Sequence, residues 1–237
     1  MTRNNWFEFK HFRIVQQKSA MKVGTDGVLL GAWTPVRDAP RILDIGTGTG
    51  LIALMLAQRS DAKIDAVEID RPAFEEAKTN FEQSEWNDRL NLINADFDQL
   101  SCLTAESYDL IVSNPPFFVN SIKTKDAALA VARHNDMLSF DQLISGSRKL
   151  LNSSGRLCVI LPFSSLVEFR ESARIAGFYL LSQTTVIPRI GKAPKRVLFE
   201  FSVDPGYPNI DELTILDING DYTESYRKLT SAYYPAF

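Results

Sequence analysis

Four consecutive residues, Asn114-Pro115-Pro116-Phe117, carry the atoms needed to hold a planar amine for attack on an electrophile. A nitrogen conjugated to a ring or carbonyl is a poor nucleophile, because its lone pair is delocalised. Two acceptors aimed at its two N–H bonds draw it towards tetrahedral geometry and favour the charge it gains in the transition state. The Asn114 side-chain oxygen supplies one acceptor and the Pro115 carbonyl the other, and proline brings no competing N–H. Phe117, with Phe118 after it, offers a face on which a base can stack, worth about 1–3 kcal/mol per base. The amine loses its proton easily once alkylated, so in-line positioning, not a strong base, sets the rate.

A second constellation lies upstream, in Arg41–Ala57. Ile42, Leu43 and Ile45 read as a short buried strand, Gly46, Gly48 and Gly50 as a tight turn enclosing Thr47, and the apolar run after them as a helix. Glycines at this spacing let a ligand approach the main chain without a Cβ in the way. A dinucleotide site would spread them as G-x-G-x-x-G and set a pyrophosphate on the helix N-terminus. Here the pattern is the tighter G-x-G-x-G, with Asp44 two residues before it. A carboxylate there suits an ammonium or sulfonium ligand better than a phosphate. S-adenosylmethionine is the ligand this favours.

Other acids fall where such a ligand needs them. Glu68, followed by Ile69, ends the next strand about twenty residues beyond Gly46, the place of a ribose-binding acid. Asp96 ends a third strand and can accept from an adenine amino group, with Phe97 beside the ring. Thr25 and Asp26 either reach the methionine end of the ligand or cap a helix.

The elements that position these residues read as alternating strands and helices. Trp6–Val15 alternates apolar and polar as one half-buried strand. Val28–Trp33 is a short helix, and Pro35–Pro40 separates this piece from the core. Strands follow at Lys63–Ile69, Leu90–Ala95, Tyr108–Val112 and Leu157–Leu161, with an Asp70 N-cap before Arg71-Pro72 and a capping box at Ser139–Gln142. Asn152–Gly155 reads as a turn. Phe178–Ile187 and Arg196–Val203 lie too close for a parallel crossover, so they form an antiparallel hairpin. The expected fold is α/β: a Rossmann-like, doubly wound, seven-stranded, mostly parallel sheet closed by that hairpin. Residues 1–237 make one domain, with 1–36 as a small N-terminal extension packed on the catalytic core.

The totals bound the rest. The 237 residues are 45% hydrophobic and 23% charged, ordinary for a globular chain. No apolar run approaches the ~20 residues of a membrane span, and the N-terminus lacks a signal-peptide core. Cys102 and Cys158, the two cysteines, suggest neither a disulfide framework nor metal ligation, so a reducing cytoplasm and no metal are expected. A net charge of −3 advertises no nucleic-acid binding, though a local patch suffices. Basic residues gather at Arg189, Lys192, Lys195 and Arg196, at Lys10, Arg13, Lys18 and Lys22, and at Lys123 and Lys125, as solvated surface or as RNA contacts. Arg133 is a possible phosphate contact, and His134 is structural or touches substrate. No long apolar stripe is left over, so a monomer is expected.

With these residues in view, the sequence resembles class I S-adenosylmethionine-dependent methyltransferases of the amino-methylating N-P-P-[FY] group. Within them it is similar to the bacterial tRNA1(Val) adenine-37 N6-methyltransferase family. Phe9–Phe12, Lys22–Trp33, Asp44–Gly50, Asn114–Phe118, Ala132–His134, Tyr222–Glu224 and Tyr233-Tyr234 carry the likeness, and Lys22–Trp33 narrows it. The resemblance implies that Asp44, Gly46, Gly48, Gly50 and Glu68 bind the cofactor, that Asp96 holds its adenine, and that Asn114–Phe117 grips the amine. It also implies a substrate adenine beside the anticodon of valine tRNA, in a loop where a base splays out cheaply. A protein glutamine amide, a guanine N2 amine in rRNA, or binding without catalysis stay open as alternatives.

Overall fold

A computed structural model describes residues 5–19, 22–103, 107–116 and 138–236. Phe117, Phe118, Lys123, Lys125, Arg133 and His134 lie outside the described residues. The chain opens with β1 (Trp6–Glu8), β2 (Arg13–Val15) and α1 (Thr25–Trp33). The core follows as β3 (Arg41–Ile45), α2 (Leu51–Ala57), β4 (Lys63–Glu68), α3 (Arg71–Glu82), β5 (Leu90–Asn94), α4 (Phe97–Leu103) and β6 (Tyr108–Ser113). Then come α5 (Phe140–Leu150), β7 (Leu151–Pro162), α6 (Leu166–Ile175), β8 (Tyr179–Arg189), β9 (Arg196–Ser202), β10 (Asn209–Leu216) and α7 (Glu224–Thr230).

The main sheet has the order β10-β8-β9-β7-β6-β3-β4-β5. Strand β3 pairs in parallel with β4 on one side and with β6 on the other, Asp44 lying opposite Ala66 and Val112. The winding reverses between β3 and β6, and ligands of such sheets sit outside the carboxyl ends at that point. Both faces are covered, which is why the central strands are continuous apolar runs. Ile42, Ile64, Leu110 and Ile160 pack beneath α1 and α2 on one face. Leu43, Ile45, Ile111 and Val159 meet Leu143, Ile144 and Phe169 on the other. Each of these side chains, nearly closed to water, contributes about 1.5–3 kcal/mol. Doubly wound α/β is the observed architecture.

Four sequence readings need correction. Among the described residues the sheet has eight strands, not seven: β10 adds a parallel edge beyond β8. Its residues are mostly exposed with Leu213 alone buried, so no apolar alternation announces it. The expected antiparallel hairpin is present in β8 and β9, and β9 also pairs antiparallel with β7. Trp6–Val15 is two strands paired antiparallel, Trp6 opposite Val15, around a turn where the Phe9 and Phe12 rings stack at 4.7 Å. Asn152–Gly155 lies within β7, where the pairing with β6 slips between Tyr108 and Leu110. The extra residues bulge out of the ladder. Finally, α1 starts without a side-chain cap, so neither Thr25 nor Asp26 serves as one. The Asp70 cap and the Ser139–Gln142 capping box are both present.

Candidate active site

The turn after β3 is held by two neighbouring residues at the end of β4. Gly46 and Thr47 donate their N–H groups to the Val67 carbonyl at 2.9 and 3.0 Å. Gly48 N–H donates to Glu68 Oε2 at 2.8 Å, while Glu68 Oε1 accepts from Asp70 N–H at 2.8 Å. The buried Glu68 carboxylate thus bridges the glycine turn and the start of α3. Gly46 and Gly48 are left-handed, φ 68° and 59°, and a Cβ on either would point into open space.

Two cavities flank this turn. One, of about 330 Å³, is lined by Gly46, Gly48, Glu68, Ile69, Asp96 and Phe97, and closed at one side by Asn114, Pro115 and Pro116. The other, of about 260 Å³, lies between the turn, with Thr47, and the start of α1, with Lys22, Thr25 and Asp26. Gly46, Gly48 and Asn114 line both. Asn114 is carried there by β6, whose last residue, Ser113, donates its hydroxyl to the Ile45 carbonyl at 3.0 Å. Asn114 Oδ1 is buried and has no hydrogen-bond partner among the described residues. A buried acceptor without a donor costs about 1–3 kcal/mol, and this one belongs to a residue that lines both cavities.

Comparison with known proteins identifies the site's family. Residues 18–165 match the model of the methyltransferase small domain. The tRNA1(Val) (adenine(37)-N6)-methyltransferase of Bacteroides thetaiotaomicron is 44% identical over 233 residues, covering 98% of each chain. The enzyme of that name from Christiangramia forsetii is 45% identical over 238 residues, again covering 98% of each. The chain belongs to this methyltransferase family. A solved structure of a predicted O-methyltransferase from Agrobacterium tumefaciens superposes with a TM-score of 0.70 at 19% identity, covering 88% of this chain and 96% of that one. This likeness speaks to the fold alone. The enzyme is an S-adenosylmethionine-dependent methyltransferase.

The methyltransferase brings most of the expected residues to the cavities, and two it does not. Asp44 is fully buried beneath the glycine turn and lines neither cavity. Its Oδ2 accepts from the Thr47 hydroxyl at 2.6 Å and from Ala53 N–H at 3.2 Å, while Oδ1 has no partner among the described residues. Burial pushes its pKa up to about 7; the Thr47 and Ala53 bonds pull it down and the Glu68 charge adds a smaller rise. Gly50 also stays outside the cavities: it is the left-handed N-cap of α2, and a Cβ there would lie 2.5 Å from the Phe81 ring. Asp96 lines the larger cavity while its Oδ1 accepts from Gln99 N–H at 2.9 Å at the start of α4.

Several neighbours of the site went unread in the sequence. Ser19, Asp70 and Leu138 line the larger cavity. Ser19 is placed by α3: Glu76 Oε2 accepts its N–H at 2.7 Å, and Glu76 Oε1 accepts those of Gln17 and Lys18. Asn80, one turn further along, accepts Val15 N–H at 2.8 Å and donates to the Thr49 carbonyl at 2.8 Å. Glu76 and Asn80 therefore tie residues 15–19 and the glycine turn to one helix. The polar stretch they hold reads in sequence only as a loop.

Proposed function

We propose that this methyltransferase modifies the exocyclic N6 amine of an adenine in tRNA, namely adenine 37 of valine tRNA. One observation carries the reading: Asn114 Oδ1, buried and without a hydrogen-bond partner among the described residues, lines both of the cavities that share the glycine turn. The near-full-length identity to relatives bearing that name supports the choice of substrate.

S-adenosylmethionine supplies an electrophilic methyl carbon on a sulfonium. The cavity suits it in shape and donor set: open space over Gly46 and Gly48, acceptors at Glu68 and Asp96, and apolar walls from Ile69 and Phe97. Glu68 takes the ribose hydroxyls and Asp96 the adenine amine. Thr25 and Thr47 border the methionine end, and Asp44 sets a carboxyl group behind the turn. Asn114 Oδ1 and the Pro115 carbonyl accept the two N–H bonds of the target amine and turn its lone pair towards the methyl carbon. Pro116 shapes the turn, and Phe117 is the stacking face. Charge developing on nitrogen is met by acceptors already in place, so little reorganisation accompanies transfer. Transfer would exchange the methyl–sulfur bond for a methyl–nitrogen bond, the sulfonium leaving as the neutral thioether S-adenosylhomocysteine and the amine losing one proton to water.

The reading takes residues 1–237 as one catalytic domain, acting as a monomer in the cytoplasm. Its support is that Phe9, Phe12 and Ile14 of the 1–36 extension share a buried cluster with α1 and α2. No described helix is long and apolar enough to cross a membrane. The test is mass spectrometry of nucleosides from unmodified valine tRNA incubated with the protein and methyl-labelled S-adenosylmethionine. Labelled N6-methyladenosine is the expected product. Label in protein, label in N2-methylguanosine of rRNA, or no transfer at all would overturn the assignment.

A further inference from the structure

The net charge of −3 hides a cationic edge beside the cavities. Strands β3, β6, β7 and β8 are mutually parallel in direction and end at Ile45, Ser113, Pro162 and Arg189 on one side of the sheet. Asn114 lies on that side, and so does the turn, residues 190–195, that joins β8 to β9. Gly191 takes φ 78° in this turn, and Lys192 and Lys195 are exposed on it. Neither lysine makes an ion pair among the described residues.

Two contacts fix the turn against the site. Arg196 Nε donates to Asp26 Oδ2 at 2.7 Å, and Asp26 lines the smaller cavity together with Lys22 and Asn114. Phe163, an exposed aromatic just beyond β7, donates its backbone N–H to the Lys195 carbonyl at 3.1 Å. Cations and an aromatic side chain therefore sit side by side next to the smaller cavity.

We propose that the 190–195 turn, with Lys22 and Phe163 beside it, is the surface that grips the RNA backbone flanking the target base. It rests on the tRNA reading of the site and adds where on this chain the RNA lies. Phosphate contacts orient a nucleic acid without reading its sequence, while the chemistry at the base selects it. A cation already paired with a carboxylate gains little from a phosphate, so Lys192 and Lys195 supply the grip. Arg196, held by Asp26, anchors the turn. An aromatic beside them stacks an unpaired base. An acidic protein can hold RNA this way because counterion release depends on the local patch, not on the total.

The test is the Lys192→Ala/Lys195→Ala double variant, with unmodified valine tRNA transcript as the probe. Binding is measured between about 0.05 and 0.3 M salt, beside KM and kcat for transfer. The expected result is a tRNA affinity lower by about tenfold per lysine near 0.1 M salt, and a salt slope shallower by about two. Affinity for S-adenosylmethionine and kcat at saturating tRNA stay at wild-type values. Lys192→Arg/Lys195→Arg keeps the wild-type slope, and so does Lys63→Ala/Lys149→Ala at the opposite end of the sheet. Wild-type slope and KM in the alanine pair, with wild type methylating the transcript, would overturn the proposal. A wild type that neither binds nor methylates the transcript would overturn the substrate reading first, and this surface with it.

Discussion

The Thr47 hydroxyl donates to Asp44 Oδ2 at 2.6 Å in a pocket closed to water, while Oδ1 of the same carboxyl has no partner among the described residues. Burial is the main reason its pKa stands at about 7 instead of 3.8. A cationic ligand nearby favours the ionised form. Affinity for S-adenosylmethionine is therefore expected to rise with pH up to about 7 and level off above it, as calorimetric titrations would read. Stability should move the other way. Between pH 3.8 and about 7 the folded state holds a proton that the unfolded state has released, so stability falls as pH rises through that window. Asp44→Asn should abolish both trends, weakening cofactor binding without lowering the thermal midpoint at pH 8.

Removing the Asn114 acceptor should separate chemistry from binding. Asn114→Ala is expected to lower kcat by about 10²–10³, the cost of losing one positioned transition-state partner. Calorimetry should find S-adenosylmethionine affinity within about twofold of wild type, because Glu68 and Asp96, the acceptors proposed for the cofactor, stay in place. A parallel loss of cofactor affinity would mean that the residue shapes the pocket instead.

Two glycines of one turn should fail differently. At Gly48 a Cβ meets nothing within 4 Å but projects into ligand space from φ 59°. Gly48→Ala should cost about 1–2 kcal/mol of backbone strain and weaken cofactor binding well beyond that strain. At Gly50 a Cβ would lie 2.5 Å from the Phe81 ring, inside the core. Gly50→Ala should lower the thermal midpoint more than Gly48→Ala does, with the smaller effect on ligand affinity once folded. Melts and titrations on both variants check this.

Glu76 holds three successive backbone N–H groups leading to Ser19. Glu76→Gln replaces one accepting oxygen by a donor that faces donors. Losing a charge-assisted bond costs about 1.5–3 kcal/mol, or about 4–10 °C in thermal midpoint for a chain of this size. Because Ser19 lines the larger cavity, affinity for the cofactor should also fall by several-fold. Amide exchange at residues 17–19 should speed up in the same variant.

What could be read along the chain was whatever short-range chemistry governs. The β3 strand, its glycine turn, the Asp70 cap and the Ser139–Gln142 box each declare themselves within a few residues. Placing Asn114 opposite the glycine turn needed only the usual strand order, and β6 does lie beside β3. Where local signals were weak or mixed, the reading failed. Strand β10 is a polar edge that gains its register from β8, and the Phe9–Phe12 turn interrupts an alternation that looks continuous.

The amino-acid sequence by itself determined the doubly wound sheet and the acceptors, acids and glycines that its carboxyl ends present. Periodicity and turn chemistry act over a few residues, so they survive in a linear string. Tertiary structure alone decided that Asp26 serves Arg196, 170 residues away, and caps no helix. It also decided that Asp44 lies beneath the cavities and not in their walls, and that Glu76 fastens the segment reaching Ser19. Those outcomes depend on which distant groups compete for one carboxylate, and that competition exists only once the chain has closed on itself.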